Sequence, residues 1–438
     1  MRSFLIIWIG QFASLLGSEM TNFALTIWAW EVTEQATPLS LILFFSQAPK
    51  IITALFSGIL VDRINRKQLM ILGDFVAGLS TIAILLLFTT NNLQIWHLYL
   101  SAAVNGLFGY LQALAYSASL SLIIPKQHYV RATALNNLQM SGSYIIAPAL
   151  AGAIYRFTGL SGILSIDIIT FIIAISTLTF VTIPQPQNSE VNHKSISSNL
   201  QKLTFGFRYL LRYPPLIALL VFWVVTNFID GINFSILGAM VLARIGNNST
   251  LFGTLMAIFG LGGLLGGLTI SIWGGPKRRI HGLLAGKAIW KFGLLMISLA
   301  WEWGLRIFAG ALSGFVSPFV SSCNQAIWLS KVPPDIQGRV FSARFIITQI
   351  PRVLAAAVAG PVADNFFEPA MRTGGSLVPI FGDIFGTGTG SGMALMIGSL
   401  SIFGLLIALS GYAFPLLRDV EVILPDHDEN LTSQESRV

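Results

Sequence analysis

The sequence predicts an all-α membrane protein that crosses the bilayer twelve times, in two parallel six-helix halves. Three observations predict this. Hydrophobic residues make up 54% of the 438-residue chain and charged residues only 10%. Apolar runs recur at bilayer-crossing length, and basic residues gather in alternate gaps between the runs. Soluble domains carry roughly 25% charged residues, and a chain of mean hydropathy +0.73 has too little charge to cover a water-facing surface. The pI near 9.6 does not indicate nucleic acid, because the basic residues occupy short gaps and not one soluble face. The lone Cys323 excludes a disulfide framework and a cysteine metal cluster.

A helix needs about 20 mostly apolar residues to cross a bilayer. By that measure the spans fall at 4–30, 39–61, 68–90, 95–121, 131–156, 160–183, 215–243, 251–273, 281–301, 304–330, 340–364 and 391–415. The start, "MRSFLIIWIGQFASLLG", has the charged-then-apolar pattern of a signal peptide. Its apolar character continues to Trp30, however, which makes it the first span. One set of gaps holds Arg2, Arg63, Arg66, Lys67, Lys126, Arg131, Lys277, Arg278, Arg279, Lys331, Arg339 and Arg418; the opposite set holds only Arg156, Arg244 and Arg372. Basic residues mark the cytoplasmic side, so both termini are expected in the cytoplasm.

A polar stretch, "IPQPQNSEVNHKSISSNLQKL" (Ile183 to Leu203), interrupts the succession of spans. It divides the chain into a first half at 1–183, a linker at 184–214, a second half at 215–418 and a tail at 419–438. Within the linker, "LTFGFRYLLRYPPL" alternates apolar residues with Arg208 and Arg212. That pattern suits a short amphipathic helix on the membrane surface, or equally a solvated linker. The halves repeat internally: Pro125 aligns with Pro333, Arg131 with Arg339, and Ala151-Gly152 with Ala359-Gly360. Each copy is a Pro-containing turn, an Arg, and a span ending in small residues that permit close helix contact. Parallel halves related by an axis along the membrane normal characterise one class of secondary transporter.

Between the second and third spans stands "GILVDRINRK", dense in charge for this chain. Its basic residues can fix topology, but Gly58 and Asp62 are not needed for that. The spacing of Gly58, Asp62, Arg63, Arg66 and Lys67 resembles the hallmark loop of the major facilitator superfamily, Gly-x-x-x-Asp-Arg-x-x-Arg-Lys. The corresponding stretch of the second half, "GGLTISIWGGPKRR", keeps the glycines and the basic end but lacks the Asp. The resemblance implies a twelve-helix transporter whose loop at Gly58 to Lys67 gates one side, with Asp62 held by cations or a helix terminus. Further phrases are similar to the branch containing bacterial enterobactin exporters and macrolide efflux pumps: "LIIWIGQFASLLGSEMTNFALTIWAWE", "IDIITFIIA", "NFFEPAM" with "GTGTGSGMAL", and "LRDVEVILPD". That likeness implies export across a bacterial inner membrane of a drug, siderophore or peptide natural product.

A charge at mid-bilayer costs at least about 2.5 kcal/mol and so faces a cavity or a partner. Glu19, Lys50, Asp74, Asp167, Asp230, Lys287, Lys291, Arg306, Arg344 and Arg352 lie within predicted spans, and Arg306, four residues after Glu302, suggests an ion pair at the outer end. The resemblance implies that the first, fourth, seventh and tenth spans line the cavity, which favours Glu19 and Asp230 as proton-coupling carboxylates. A satisfied ion pair near the helix end is the alternative for each. A carboxylate in an apolar setting can hold a proton and lose it when water or a cationic cargo arrives, as antiport requires. Arg352 follows Pro351 at mid-span and can meet an anionic cargo group, a coupling carboxylate or a structural partner. Lys50 follows Pro49. Asp167 reads as structural, Asp74 as a neutraliser of the basic loop, and Lys287 and Lys291 as cations snorkelling to an interface.

Asn22, Asn227 and Phe234 share faces with those carboxylates, and Gln112, Tyr116 and Asn324 recur at helical spacing with aromatic neighbours. They suit a medium-sized amphipathic ligand, although Asn and Gln also serve as glue between helices. No phosphate-binding loop and no spaced histidine pair occurs, so neither an enzyme nor a cofactor or metal is expected. "GTGTGSG" reads as a turn entering the last span. The expected partners are a small-molecule cargo, protons and lipid, with no nucleic acid, and the protein is expected to be a monomer. Rival readings are a non-transporting receptor on the same fold and a lipid-handling membrane enzyme.

Overall fold

The structure, a computed structural model, describes residues 2–63, 65–124, 126–181, 205–299 and 302–426; the side chains of 2–3, 55–63, 121, 126, 130 and 134 lie outside the described set. The described residues contain helices and no strand. The first half comprises α1 (Arg2–Thr33), α2 (Ala36–Arg63), α3 (Arg66–Thr89), α4 (Ile95–Ile123) and α5 (Tyr129–Phe180). A short helix, α6, follows at 205–212. The second half comprises α7 (Pro214–Arg244), α8 (Ser249–Trp273), α9 (Arg279–Leu299), α10 (Trp303–Lys331), α11 (Pro334–Val362), α12 (Glu368–Met371), α13 (Val378–Phe385) and α14 (Ser391–Ser410), then α15 (Pro415–Arg418) and α16 (Val420–Ile423).

Among the described residues, ten helical stretches are long and apolar enough to cross a membrane. The difference from twelve has two sources. α2 is not among the ten, and its last residues are those whose side chains are not described. The fifth and sixth spans, in turn, are joined in one 52-residue helix. Gly159 breaks that helix, with φ 62° and ψ −162°, a conformation that side-chain-bearing residues rarely adopt. Contacts with α1 show that the chain reverses there. Trp8 Nε1 donates to the Leu135 carbonyl at 3.1 Å, and Tyr155 donates to Glu31 at 2.8 Å, so the first limb of α5 runs parallel to α1. In the second limb, Ser18 reaches Asp167 and Gly10 abuts Thr177, so that limb runs antiparallel.

One end of the bundle, the basic face, carries the start of α1 and the loops rich in Lys and Arg. There Asn65 caps α3, accepting from the backbone of Lys67 at 2.9 Å. Arg66 donates to the Ala118 carbonyl at 2.6 Å, and Lys67 donates to the Thr179 and Val181 carbonyls at 3.1 and 2.8 Å. Lys67 sits where the C-terminus of α5 leaves carbonyls unpaired and the helix dipole is negative. The linker helix α6 packs on the second half: Leu210 is buried, and the Arg339 guanidinium lies 5.3 Å over the Phe205 ring. The tail does likewise. Glu421 accepts from the Ile280 backbone at 2.9 Å at the start of α9, and Lys331 pairs with Asp426 at 2.8 Å.

At the opposite, far face, α11 continues through a π-turn (Ala363–Phe367) into α12. The short α13 was not foreseen in the sequence. It buries Phe385 against the base of α14. Buried Glu368 accepts from the backbones of Gly390 at 3.2 Å and Met393 at 2.8 Å, capping α14. Gly390 has φ 86°, and a Cβ at Gly392 would lie 2.3 Å from the Phe367 carbonyl carbon. "NFFEPAM" and "GTGTGSGMAL" are therefore two parts of one junction. Glu368→Ala is expected to cost about 1–2 kcal/mol through the lost cap and to lower the thermal unfolding midpoint of the purified protein. An unchanged midpoint would mean that the glycine turn alone sets the junction.

Candidate functional site

The two halves meet through α1, α2 and α5 on one side and α7, α8 and α11 on the other. The repeated Ala-Gly pairs mark close approaches. A Cβ on Gly152 would stand 2.6 Å from the Ser249 carbonyl, and one on Gly360 would stand 2.4 Å from the Thr37 Cα. Hydrogen bonds reinforce both seams. Ser249 and Thr250 hydroxyls donate to the Gly152 carbonyl at 3.1 and 3.2 Å, and the Gly360 N–H donates to Ser40 at 3.2 Å. Trp30 donates to Asn247 at 2.8 Å, and Phe23 stacks on Phe252 at 4.9 Å. Asp364 accepts from the backbones of Ala36 and Thr37 at 2.9 and 2.7 Å and from the Thr37 hydroxyl at 2.5 Å, capping α2 from the other half. These contacts all lie between mid-membrane and the far face.

At mid-membrane the same helices turn polar residues toward one another. Glu19 of α1 and Lys50 of α2 act on each other electrostatically, Arg352 of α11 acts on Lys50, and Tyr144 of α5 feels both Glu19 and Arg352. None of the ion pairs among the described residues includes Glu19, Lys50 or Arg352. Asn22 lies beside the Glu19 carboxylate. The Arg352 guanidinium stands 6.0 Å from the Phe234 ring, and Phe234 and Tyr144 are 51% and 56% exposed although their helices meet the other half. Prolines precede both cations. Pro49 and Pro351 lie inside α2 and α11, where each removes a helical N–H.

Other expected site residues are committed elsewhere. Asp230 does not stand free in the cavity: Lys287 and Lys291 of α9 hold it at 2.5 and 2.6 Å. The snorkelling expected of those lysines does not occur, since Lys291 is fully buried and Lys287 lies 4.7 Å over the Trp223 ring. The Gln112 side chain donates to Asp74 at 2.7 Å and to Gln11 at 3.1 Å. Asp74, expected to neutralise the basic loop, is instead held by these amides, with Gln11 donating at 2.8 Å. Tyr116 donates to Asn136 at 2.9 Å, and Asn324 is buried within the second half. Asp167 accepts from Thr21 at 3.0 Å and Thr81 at 2.8 Å, joining α1, α3 and the second limb of α5. Asn227 lies one turn before Asp230 on α7. Of the expected gating motif, Arg66 and Lys67 cap helix ends, and the side chains of Gly58, Asp62 and Arg63 lie outside the described residues.

Sequence reasoning missed Asp364. Its signal was an acidic residue four positions after Gly360 in the repeat, where the first half has Arg156. Among the described residues no cluster of His, Cys, Asp or Glu could hold a metal ion.

Comparison with known proteins gives a consistent picture. Residues 7–356 match the sequence profile described as Major Facilitator Superfamily. The chain is 25% identical over 366 residues to macrolide efflux protein A of Streptococcus pyogenes, covering 83% of this chain and 89% of that protein. It is 22% identical over 351 residues to the enterobactin exporter EntS of Shigella flexneri, covering 77% and 79%. Among solved structures, the nucleoside transporter NupG matches with a TM-score of 0.69 at 12% identity, covering 94% of this chain and 98% of that one. A bacterial homologue of the iron transporter ferroportin in an inward-facing state matches with a TM-score of 0.68 at 12% identity, covering 93% and 98%.

Proposed function

Because the chain belongs to the major facilitator superfamily, we propose that it is a secondary exporter moving a medium-sized amphipathic molecule out of a bacterial cell, by alternating access and in exchange for protons. It is a multi-pass membrane transporter and not an enzyme. The observation that carries the finer reading is the cluster of Glu19, Lys50, Arg352 and Tyr144. Three helices, α1, α2 and α11, bring charge from both halves to mid-membrane, where it costs most, and leave it out of the ion pairs found among the described residues. A polytopic protein that tolerates that cost has a use for the charges beyond stability.

The basic face is the cytoplasmic one in this reading, following the bias of Lys and Arg. Contacts between the halves toward the far face then correspond to a transporter closed to the outside and open to the cytoplasm. Residues 1–183 and 215–418 act as the two rocking units. The α6 helix and the tail, both packed on the second half, move with it. The loop from Gly58 to Lys67 holds the inner side closed in the opposite state, and one chain suffices for transport. Glu19 carries the exchanged proton. It is the sole mid-membrane carboxylate among the described residues that is neither ion-paired nor held by several side-chain donors.

Sealed vesicles with an imposed pH gradient test this, using a panel of amphipathic drugs, siderophores and peptides as cargo. The gradient is expected to drive cargo movement in the wild type. Glu19→Gln is expected to abolish the gradient dependence while the protein stays folded by size-exclusion chromatography. Movement that ignores both the gradient and the substitution would refute antiport.

A further inference from the structure

We propose that the mid-membrane cluster is a binding site for an organic anion, and that the cargo is an amphipathic acid: a carboxylate or similar anionic group on an apolar or aromatic body. The inference rests on the exporter reading but not on its proton coupling.

The argument begins with charge. Of the carboxylates at mid-membrane, Asp230 is consumed by Lys287 and Lys291. Asp74 is engaged by the Gln11 and Gln112 amides, and Asp167 by the Thr21 and Thr81 hydroxyls. Among the described residues that leaves Glu19, with Asn22 beside it, and Lys50 lies within electrostatic reach of both Glu19 and Arg352. Arg344 adds a third cation two turns nearer the basic face on α11. Its partners are the neutral Gln325 amide at 3.0 Å and the Trp328 ring at 4.7 Å. α4 and α8 carry no Asp, Glu, Lys or Arg, and the charges of α10 are confined to its ends. Away from their first and last turns, α2 and α11 carry Lys50, Arg339, Arg344 and Arg352 and no carboxylate.

Chemistry then narrows the ligand. A guanidinium presents a planar fork that matches a carboxylate with two parallel hydrogen bonds, and Lys50 supplies a second donor from the opposite half. The Phe234 ring beside Arg352 and the exposed Tyr144 ring offer flat apolar surface to the remainder of the molecule. A cationic amine would find the reverse: one carboxylate, with Lys50 in electrostatic reach of it, and repulsion from Lys50 and Arg352. Anion export is also favoured by the negative interior of a cell, whether or not a proton is exchanged.

The test is binding, which does not require transport. Purified full-length protein in nanodiscs is titrated with radiolabelled 1-naphthylacetate and with 2-(1-naphthyl)ethylamine, a matched acid and amine. The acid is expected to bind at least about tenfold tighter, a difference of roughly 1.4 kcal/mol. Arg352→Gln and Lys50→Gln are each expected to weaken the acid about tenfold, and Arg352→Lys to weaken it less. Thermal unfolding confirms that each variant is folded. If Arg352→Gln does not fold, Lys50→Gln and the wild-type preference still decide. Equal or tighter binding of the amine, no binding of the acid, or acid binding indifferent to both substitutions would overturn the proposal. Failure of the exporter reading looks different: the acid binds with the expected preference, yet no cargo moves in sealed vesicles.

Discussion

Asp230→Ala is expected to cost about 3–5 kcal/mol of stability, the penalty for stranding buried charge by removing one partner of an ion pair. Lys287 and Lys291 have side chains 7% and 0% exposed and both converge on the Asp230 carboxylate from one turn of α9. Neither can swing to water. The Lys291 stem runs against Gly404 of α14, where even a Cβ would lie 2.6 Å from the lysine Cε, and the Lys287 ammonium is packed over Trp223. Without Asp230, two like charges four residues apart would share a site with no anion. Folded yield and thermal midpoint should fall steeply. The triple variant Asp230→Ala, Lys287→Met, Lys291→Met should recover most of the loss, because apolar side chains of similar volume replace a buried ion group at little cost. If Asp230→Ala unfolds like the wild type but transport is lost, the triad is part of the transport machinery and not a brace between α7 and α9.

That triad also shows what a sequence conceals. The cost of mid-bilayer charge marks Asp230, Lys287 and Lys291 individually, but spacing along one helix cannot pair them, because the partners stand on different helices. Gln112 failed as a cavity residue for the same reason: Asp74 and Gln11 reach it from α3 and α1. Where the signal is local, the sequence was sufficient. The break expected between 156 and 160 coincides with the left-handed Gly159. The Ala-Gly pairs chosen for their small size form the seams between the halves. Glu19, Lys50 and Arg352 were legible because their positions near the middle of long apolar runs, two of them beside prolines, already implied a polar environment. The α13 helix and the Glu368 cap were illegible, since the polar stretch around them reads as a loop until the turn glycines bring Gly390 and Met393 under the carboxylate.

Asp364→Ala is expected to shift the balance between the two transport states toward the outward-open one. Three hydrogen bonds join this carboxylate to the first turn of α2, two of them to backbone N–H groups that a helix start leaves unpaired. The positive end of the helix dipole adds to the attraction. Separation of the halves at the far face must break all three, so they stabilise only the state seen here. Hydrogen bonds to charged groups are each worth about 1.5–3 kcal/mol, but water replaces them once the face opens. A net coupling of about 1–3 kcal/mol follows, or roughly 5- to 150-fold in the ratio of states. The opposite seam offers a reporter away from the mutation. With Cys323→Ser as background, Ser249→Cys places a thiol where the wild-type hydroxyl is buried against the Gly152 carbonyl. A membrane-impermeant maleimide added outside should label it severalfold faster when Asp364 is replaced. Asp364→Asn, which keeps one acceptor oxygen, should fall between. Identical labelling in all three proteins would show that Asp364 only caps α2. The seams at Gly152 and Gly360 would then carry the closed state by packing alone. The first half offers no second latch of this kind, because the repeat places Arg156 opposite Asp364, and a cation cannot cap a helix N-terminus. Asp364 therefore adds charged hydrogen bonds on one side of a pseudo-symmetric interface, beside the neutral ones of Trp30, Ser249, Thr250 and Gly360.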